Sequence, residues 1–190
     1  MDQDSAVTLL QPGCNGAPAP SGGPPNRPPE RTCVRLTAMT LTENAPTAVH
    51  IGADELPFVD IGDGNKLKVI QVKVTEGLWI VENIFQKGYV VQTHKHTGPV
   101  YAYTTSGAWK YQEYDYVNRA GSFLYEPAGS IHTLTVVEDD TRVWFQIYGA
   151  NLNLDADGNV ESIIDAGGIL EAYYMLAEAE GLPRPNVLVD

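Results

Sequence analysis

Cysteine is nearly absent. The 190 residues contain two, Cys14 and Cys33, both N-terminal and away from every histidine. That spacing supports neither a disulfide framework nor a thiolate zinc site. Basic residues are also sparse, with 12 Lys and Arg against 24 Asp and Glu and a net charge of −12. Nucleic-acid and anionic-membrane partners call for basic patches, so neither is expected. No run approaches the roughly 18 apolar residues of a membrane span. The opening "MDQDSAVTLL" lacks the basic n-region of a signal peptide. These absences together point to a reducing, cytoplasmic protein. Histidine is scarce too: there are four, His50, His94, His96 and His132.

What is present divides unevenly along the chain. Residues 11–30, "QPGCNGAPAPSGGPPNRPPE", hold seven prolines and four glycines. Such a stretch cannot bury enough apolar surface to offset its ordering entropy. Residues 1–35 are therefore read as a disordered Pro/Gly-rich tail, 36–157 as a β-barrel, and 158–190 as a C-terminal helix and tail.

Beyond the tail, short segments rich in β-branched and aromatic residues recur between turn signals. They are 66–74, 78–85, 89–96, 100–106, 108–116, 122–126, 131–137 and 142–149. Strands at such intervals without intervening helices predict an all-β sandwich or barrel. One helix is expected over 169–180, "ILEAYYMLAEAE", with Asp165 as N-cap and Gly181 and Pro183 as its stop.

"GYVVQTHKHTGPV" (88–100) places His94 and His96 at alternate positions. On a strand both face the same side, one pleat apart. Two adjacent imidazoles fill a core poorly but begin a metal site well. His132 opens another strand after the Pro-Ala-Gly turn of "YEPAGSIHTL". A barrel can gather the three around one ion. His50 stands alone and reads as a surface residue.

In "GAWKYQEYDY" (107–116), Lys110 and Gln112 are expected in water, with Trp109, Tyr111 and Glu113 pointing inward. An inward carboxylate is costly unless it is paired or bound to a metal. Glu113 is thus either a fourth ligand or base, or a residue at the barrel rim where the strand ends. Such a donor set suits Fe(II), and also Zn, Mn, Cu, Co or Ni. Tyr101, Tyr103, Trp109, Tyr111, Tyr125 and Trp144 lie on strands near the motif residues and are candidate walls for an aromatic substrate, with parity placing Trp109 and Tyr111 on the side of Glu113.

These residues resemble the cupin superfamily. Gly88, His94, His96 and Gly107 match its first motif in spacing; Gly121, Pro127, Gly129 and His132 match its second. Two departures stand out. Val100 and Tyr101 occupy the place of the first motif's glutamate, and Val136 that of the second motif's asparagine. Within the superfamily, "HTGPVYAYTTSGAWKYQEYDY", "AGSFLYEPAGSIHTL" and "GANLNLDADGNVESIID" resemble the 2,4'-dihydroxyacetophenone dioxygenase family and its ChrR-like cupin relatives.

The resemblance implies a jelly-roll barrel. It implies Fe(II) on His94, His96 and His132 with Glu113 as direct or water-bridged partner. The implied reaction is O₂-dependent cleavage of an aromatic α-hydroxyketone to 4-hydroxybenzoate and formate, in a homodimer or homotetramer. Two other readings stay open: a diketone-cleaving cupin with three histidines and no required carboxylate, and a non-catalytic metal-binding sensory cupin.

Overall fold

Strand β5 (Val100–Ser106) shows how this chain builds its layers. Val100, Ala102 and Thr104 are buried, while Tyr101, Tyr103 and Thr105 face out. Strand β10 (Thr141–Tyr148) repeats the pattern with Thr141, Val143, Phe145 and Ile147 buried. Such alternation lets one sheet face close on a core while the other meets solvent.

The computed structural model describes residues 45–189. The expected tail over 1–35 lies outside the described residues, as do both cysteines. The remaining strands are β1 (Val59–Gly62), β2 (Asn65–Lys73), β3 (Leu78–Phe85), β4 (Val90–His96), β6 (Ala108–Tyr111), β7 (Asn118–Arg119), β8 (Phe123–Glu126), β9 (Ile131–Val136), β11 (Asn151–Leu154), β12 (Val160–Ile164) and β13 (Leu188–Val189). One sheet runs β1-β2-β3-β10-β5-β8, with β13 added in parallel to β2; the other runs β12-β11-β4-β9-β6-β7. Their inner faces share one core that includes Val69, Val81, Trp109, Leu134, Val143 and Phe145. This is the all-β architecture that the strand spacing predicts and the jelly roll that the cupin resemblance implies, with one C-terminal helix among the described residues.

Tight turns hold the sheets in register. Gly107, between β5 and β6, has φ +70, and a Cβ there would meet Thr141 Oγ1 at 2.3 Å. No larger residue fits that approach.

The helix α1 (Ala166–Ala179) begins at Asp165, whose carboxylate accepts the Gly168 N–H at 2.8 Å. It ends in a Schellman motif: Leu182 N–H donates to Ala177 O and Gly181 N–H to Glu178 O, both at 2.9 Å, with Gly181 at φ +70. Tyr173 and Ala177 are fully buried on its inner side, and Tyr173 Oη donates to Pro57 O. Among the described residues no helix is long and apolar enough to cross a membrane.

One expected strand is much shorter. β6 stops at Tyr111, where 108–116 was anticipated. The chain turns there, with Tyr114 N–H donating to Tyr111 O, and Tyr114 and Tyr116 stack outside. Periodicity also passed over β11 and β12, whose polar "NLNLDADGNVESII" alternates weakly.

Candidate metal centre

Strands β4 and β9 are neighbours, and their register sets His94 directly opposite His132. His96 lies two residues along β4 on the same face. All three rings are buried, and one ligand atom from each lies within 4.8 Å of the others. The ring centroids are 4.8 to 4.9 Å apart. His94 Nδ1 donates to Gln92 O at 2.7 Å, which leaves Nε2 with the free lone pair. Burial above all pulls the His94 pKa down to about 4, so the ring is neutral near pH 7.

The carboxylate that meets these rings is Glu126, which the sequence reading missed. It ends β8, in the opposite sheet, just before the Pro127–Ser130 turn that carries the chain to His132. Its Oε2 lies 2.7 Å from His96 Nε2 and 3.1 Å from His132 Nε2. Its Oε1 accepts the hydroxyl of buried Tyr111, whose ring stacks on His132 at 3.8 Å. Burial works against ionisation of Glu126, but the close rings of His132 and His96 outweigh it and hold the pKa down to about 2. Desolvation and the adjacent Glu126 push the Tyr111 hydroxyl well above its ordinary range, so it stays a donor.

A signal for Glu126 was present. In "FLYE" Phe123 and Tyr125 face out and Glu126 faces in, and a buried acid at a strand end is costly without a partner.

This cluster fits a cation. His96 Nε2 and His132 Nε2 are 3.0 Å apart, where one shared proton is the most that can lie between them. Glu126 Oε2 faces both, yet no well-directed hydrogen bond reaches it. Electron pairs that converge in a buried space repel unless positive charge sits among them. The donors are three imidazoles and a carboxylate with no thiolate, a set that suits octahedral Fe(II) or Mn and also Zn, Co, Ni or Cu.

Several expected site residues lie elsewhere. Glu113 follows the end of β6, so the alternation that would turn it inward does not continue. It is exposed at the rim and accepts the Thr133 N–H at 3.0 Å. That hydrogen bond outweighs slight burial and lowers its pKa. Tyr101 and Tyr103 do not line the space before the histidines: pleat parity puts them on the outer face, 37% and 50% exposed. There they form an aromatic surface with Phe123, Tyr125 and Trp144. Trp109 is sealed in the core behind Tyr111, its Nε1 donating to Thr104 Oγ1 at 2.8 Å. His50 is exposed.

The space before the histidines is a cavity of about 290 Å³. Tyr111 and Val100 lie beside the cluster, Trp79, Phe85 and Phe145 form aromatic walls, and Ile169, Ala172 and Leu176 of α1 line it as well. A larger cleft, about 550 Å³, lies under residues 51–58 and shares no lining residue with this cavity. There Lys68 and Arg142 each pair with Glu82.

Residues 46–151 match the family model of the ChrR cupin-like domain. The chain belongs to the ChrR cupin-like family. This ChrR-like cupin is similar to a cupin-like protein of unknown function from Ralstonia eutropha, at 29% identity over 77% of this chain and 94% of the other, with TM-score 0.69. A second cupin from Ralstonia eutropha matches at 25% identity over 78% and 98%, with TM-score 0.68. The acetylacetone dioxygenase of Acinetobacter johnsonii shares the fold at 18% identity over 70% and 93%, with TM-score 0.60. No curated protein matches this ChrR-like cupin significantly.

Proposed function

We propose that this chain is an Fe(II)-dependent dioxygenase that cleaves the C–C bond between the carbonyl and the hydroxylated carbon of an aromatic α-hydroxyketone. The observation that carries the reading is the convergence of three buried imidazoles and Glu126, of which His94, His96 and Glu126 line an apolar, aromatic cavity. A volume of about 290 Å³ sits at the low end for ligand pockets and suits a single-ring substrate. The reaction is ArC(O)CH₂OH + O₂ → ArCOOH + HCOOH, which balances in every atom. For 2,4'-dihydroxyacetophenone the products are 4-hydroxybenzoate and formate.

His94, His96 and His132 would hold the ion, with Glu126 as the fourth group. When bound, the metal supplies a Lewis-acidic template for the substrate's two oxygens and for O₂. The chain's own residues do the rest. Gln92 O orients His94. Tyr111 fixes Glu126 through Oε1, leaving Oε2 to balance the ion's charge. Trp79, Phe85 and Phe145 receive the aryl ring and exclude water. Glu113 anchors the Thr133 N–H beside His132 and so steadies that ligand's strand.

A second reading, cleavage of a β-diketone, stays open because Glu113, the carboxylate expected beside the three histidines, lies exposed at the rim and Glu126 takes its place. Oxygen uptake by anaerobically Fe(II)-loaded protein decides between them. Uptake with 2,4'-dihydroxyacetophenone matched one-to-one by formate, and lost in His94→Ala, supports the first. Uptake with acetylacetone alone supports the second. Silence with both, together with tight zinc binding, favours a sensory cupin.

A further inference from the structure

His94 secures its ring through Gln92 O, but His96 has no such support. Its Nδ1 is sealed from water and makes no hydrogen bond. Metal-binding histidines almost always donate the second ring N–H to an acceptor, which sets tautomer and ring orientation. A buried N–H left without one has lost its hydrogen bond to water with nothing in return.

The neighbouring strand offers an acceptor. β11 pairs with β4 so that Asn151 is the direct cross-strand partner of His96. Such partners project from the same face with Cβ atoms about 5 Å apart. Asn151 Oδ1 is likewise sealed from water and without a partner. Both residues line the cavity. One orphan is a donor once Nε2 is committed to an ion, and the other is an acceptor. A contact from Oδ1 to a molecule in the cavity would leave His96 Nδ1 unsatisfied, whereas pairing the two satisfies both.

We propose that Asn151 is a positioning residue for the metal centre: its Oδ1 accepts the His96 Nδ1–H when the ion binds and holds Nε2 toward the site. The inference rests on the metal-site reading above. It gives β11, a strand outside both histidine motifs, a direct part in the centre.

Zinc affinity, measured by competition with a chromophoric chelator, tests it on wild type, Asn151→Leu, Asn151→Asp and His94→Ala. Asn151→Leu is expected to bind zinc about 10–100-fold more weakly. Asn151→Asp keeps an acceptor and is expected to stay within a few-fold of wild type. Long-range ¹H–¹⁵N spectra of zinc-loaded wild type should show a solvent-protected His96 Nδ1 proton with a nuclear Overhauser contact to the Asn151 side chain. That measurement decides the matter even where Asn151→Leu does not fold. Zinc binding that is lost in His94→Ala but indifferent to Asn151→Leu overturns this inference alone. So does a His96 Nδ1 proton with no contact to Asn151. A wild-type chain that takes up no zinc overturns the metal-site reading and this inference with it.

Discussion

Val100 and Glu126 are cross-strand partners between β5 and β8. Val100 stands where the first cupin motif places its glutamate, and in this chain the buried carboxylate comes from its cross-strand partner. Both side chains reach the same cavity. The pairing makes the two positions exchangeable in principle. Glu126→Val is expected to weaken metal binding about 10–100-fold, the usual cost of losing a group of this kind beside the ligands. Adding Val100→Glu to that variant should recover most of the loss, while Val100→Glu alone crowds two carboxylates and raises a pKa. Chelator competition on all three variants measures this, and a double variant no better than Glu126→Val would sink it.

Tyr111 touches the centre twice, through its hydroxyl on Glu126 and its ring on His132. Tyr111→Phe keeps the ring and removes the donor. Glu126 Oε1 is then buried without a partner, so the metal-free protein should lose about 1–3 kcal/mol of stability. Urea denaturation gives the number, and an unchanged midpoint would show that the hydroxyl contributes nothing.

The fold and the three histidines were legible because their signals are local. Alternation along β5 and β10, and the turn glycines at 107 and 129, mark strands and corners within a few residues. Asp165 and Gly181 bounded the helix for the same reason. Other features depend on where a strand stops or which sheet a strand joins. Glu113 faces inward only if β6 runs two residues past Tyr111, and beyond the point where the strand stops its alternation no longer sets a facing. Tyr101 and Tyr103 share a strand with pocket-lining Val100 but sit on the opposite parity. Glu126 belongs to the other sheet, and its meeting with His96 is a tertiary fact that spacing does not encode.

Glu113 itself makes a clean test of the rim placement. Its carboxylate accepts the Thr133 N–H from an exposed position at the rim. Glu113→Ala should keep one metal per chain and lose about 1 kcal/mol of stability. Metal analysis by mass spectrometry reads the first quantity directly. Loss of stoichiometric metal in this variant would return Glu113 to the ligand set.

The buried titrating groups set the acid limit of the metal-free protein. His94 has a folded pKa of about 4, below its ordinary 6.5, so the unfolded chain binds the proton more readily. The stability from neutral His94 is therefore present above pH 6.5 and is lost as pH falls toward 4. Glu126, at about 2 against 4.5, contributes above pH 4.5 and loses that contribution between 4.5 and 2. Urea midpoints should fall first through the upper window and then through the lower. His94→Gln should flatten the upper window alone. A wild-type midpoint unchanged between pH 7 and 5 would contradict the assignment.

Helix α1 gives the cavity a wall that can be altered without touching the metal. Ile169, Ala172 and Leu176 line the space at helical spacing, and the helix is anchored independently through buried Tyr173 and the Asp165 cap. Ala172→Phe adds a ring to one side of a 290 Å³ cavity. Because the added ring enters free space rather than close-packed core, the variant should fold with near-native stability. It should bind metal as the wild type does, since none of the ligating groups lies on α1. Turnover of a single-ring ketone, by contrast, should fall at least about tenfold in kcat/KM, the effect of roughly 1.4 kcal/mol lost at the transition state. A smaller aliphatic diketone should be less affected, because it leaves part of the cavity empty. Oxygen uptake with the two ketones, alongside metal content and a urea midpoint, separates these effects. Equal turnover of the aryl ketone by Ala172→Phe and wild type would place the substrate elsewhere and remove α1 from the specificity of this site.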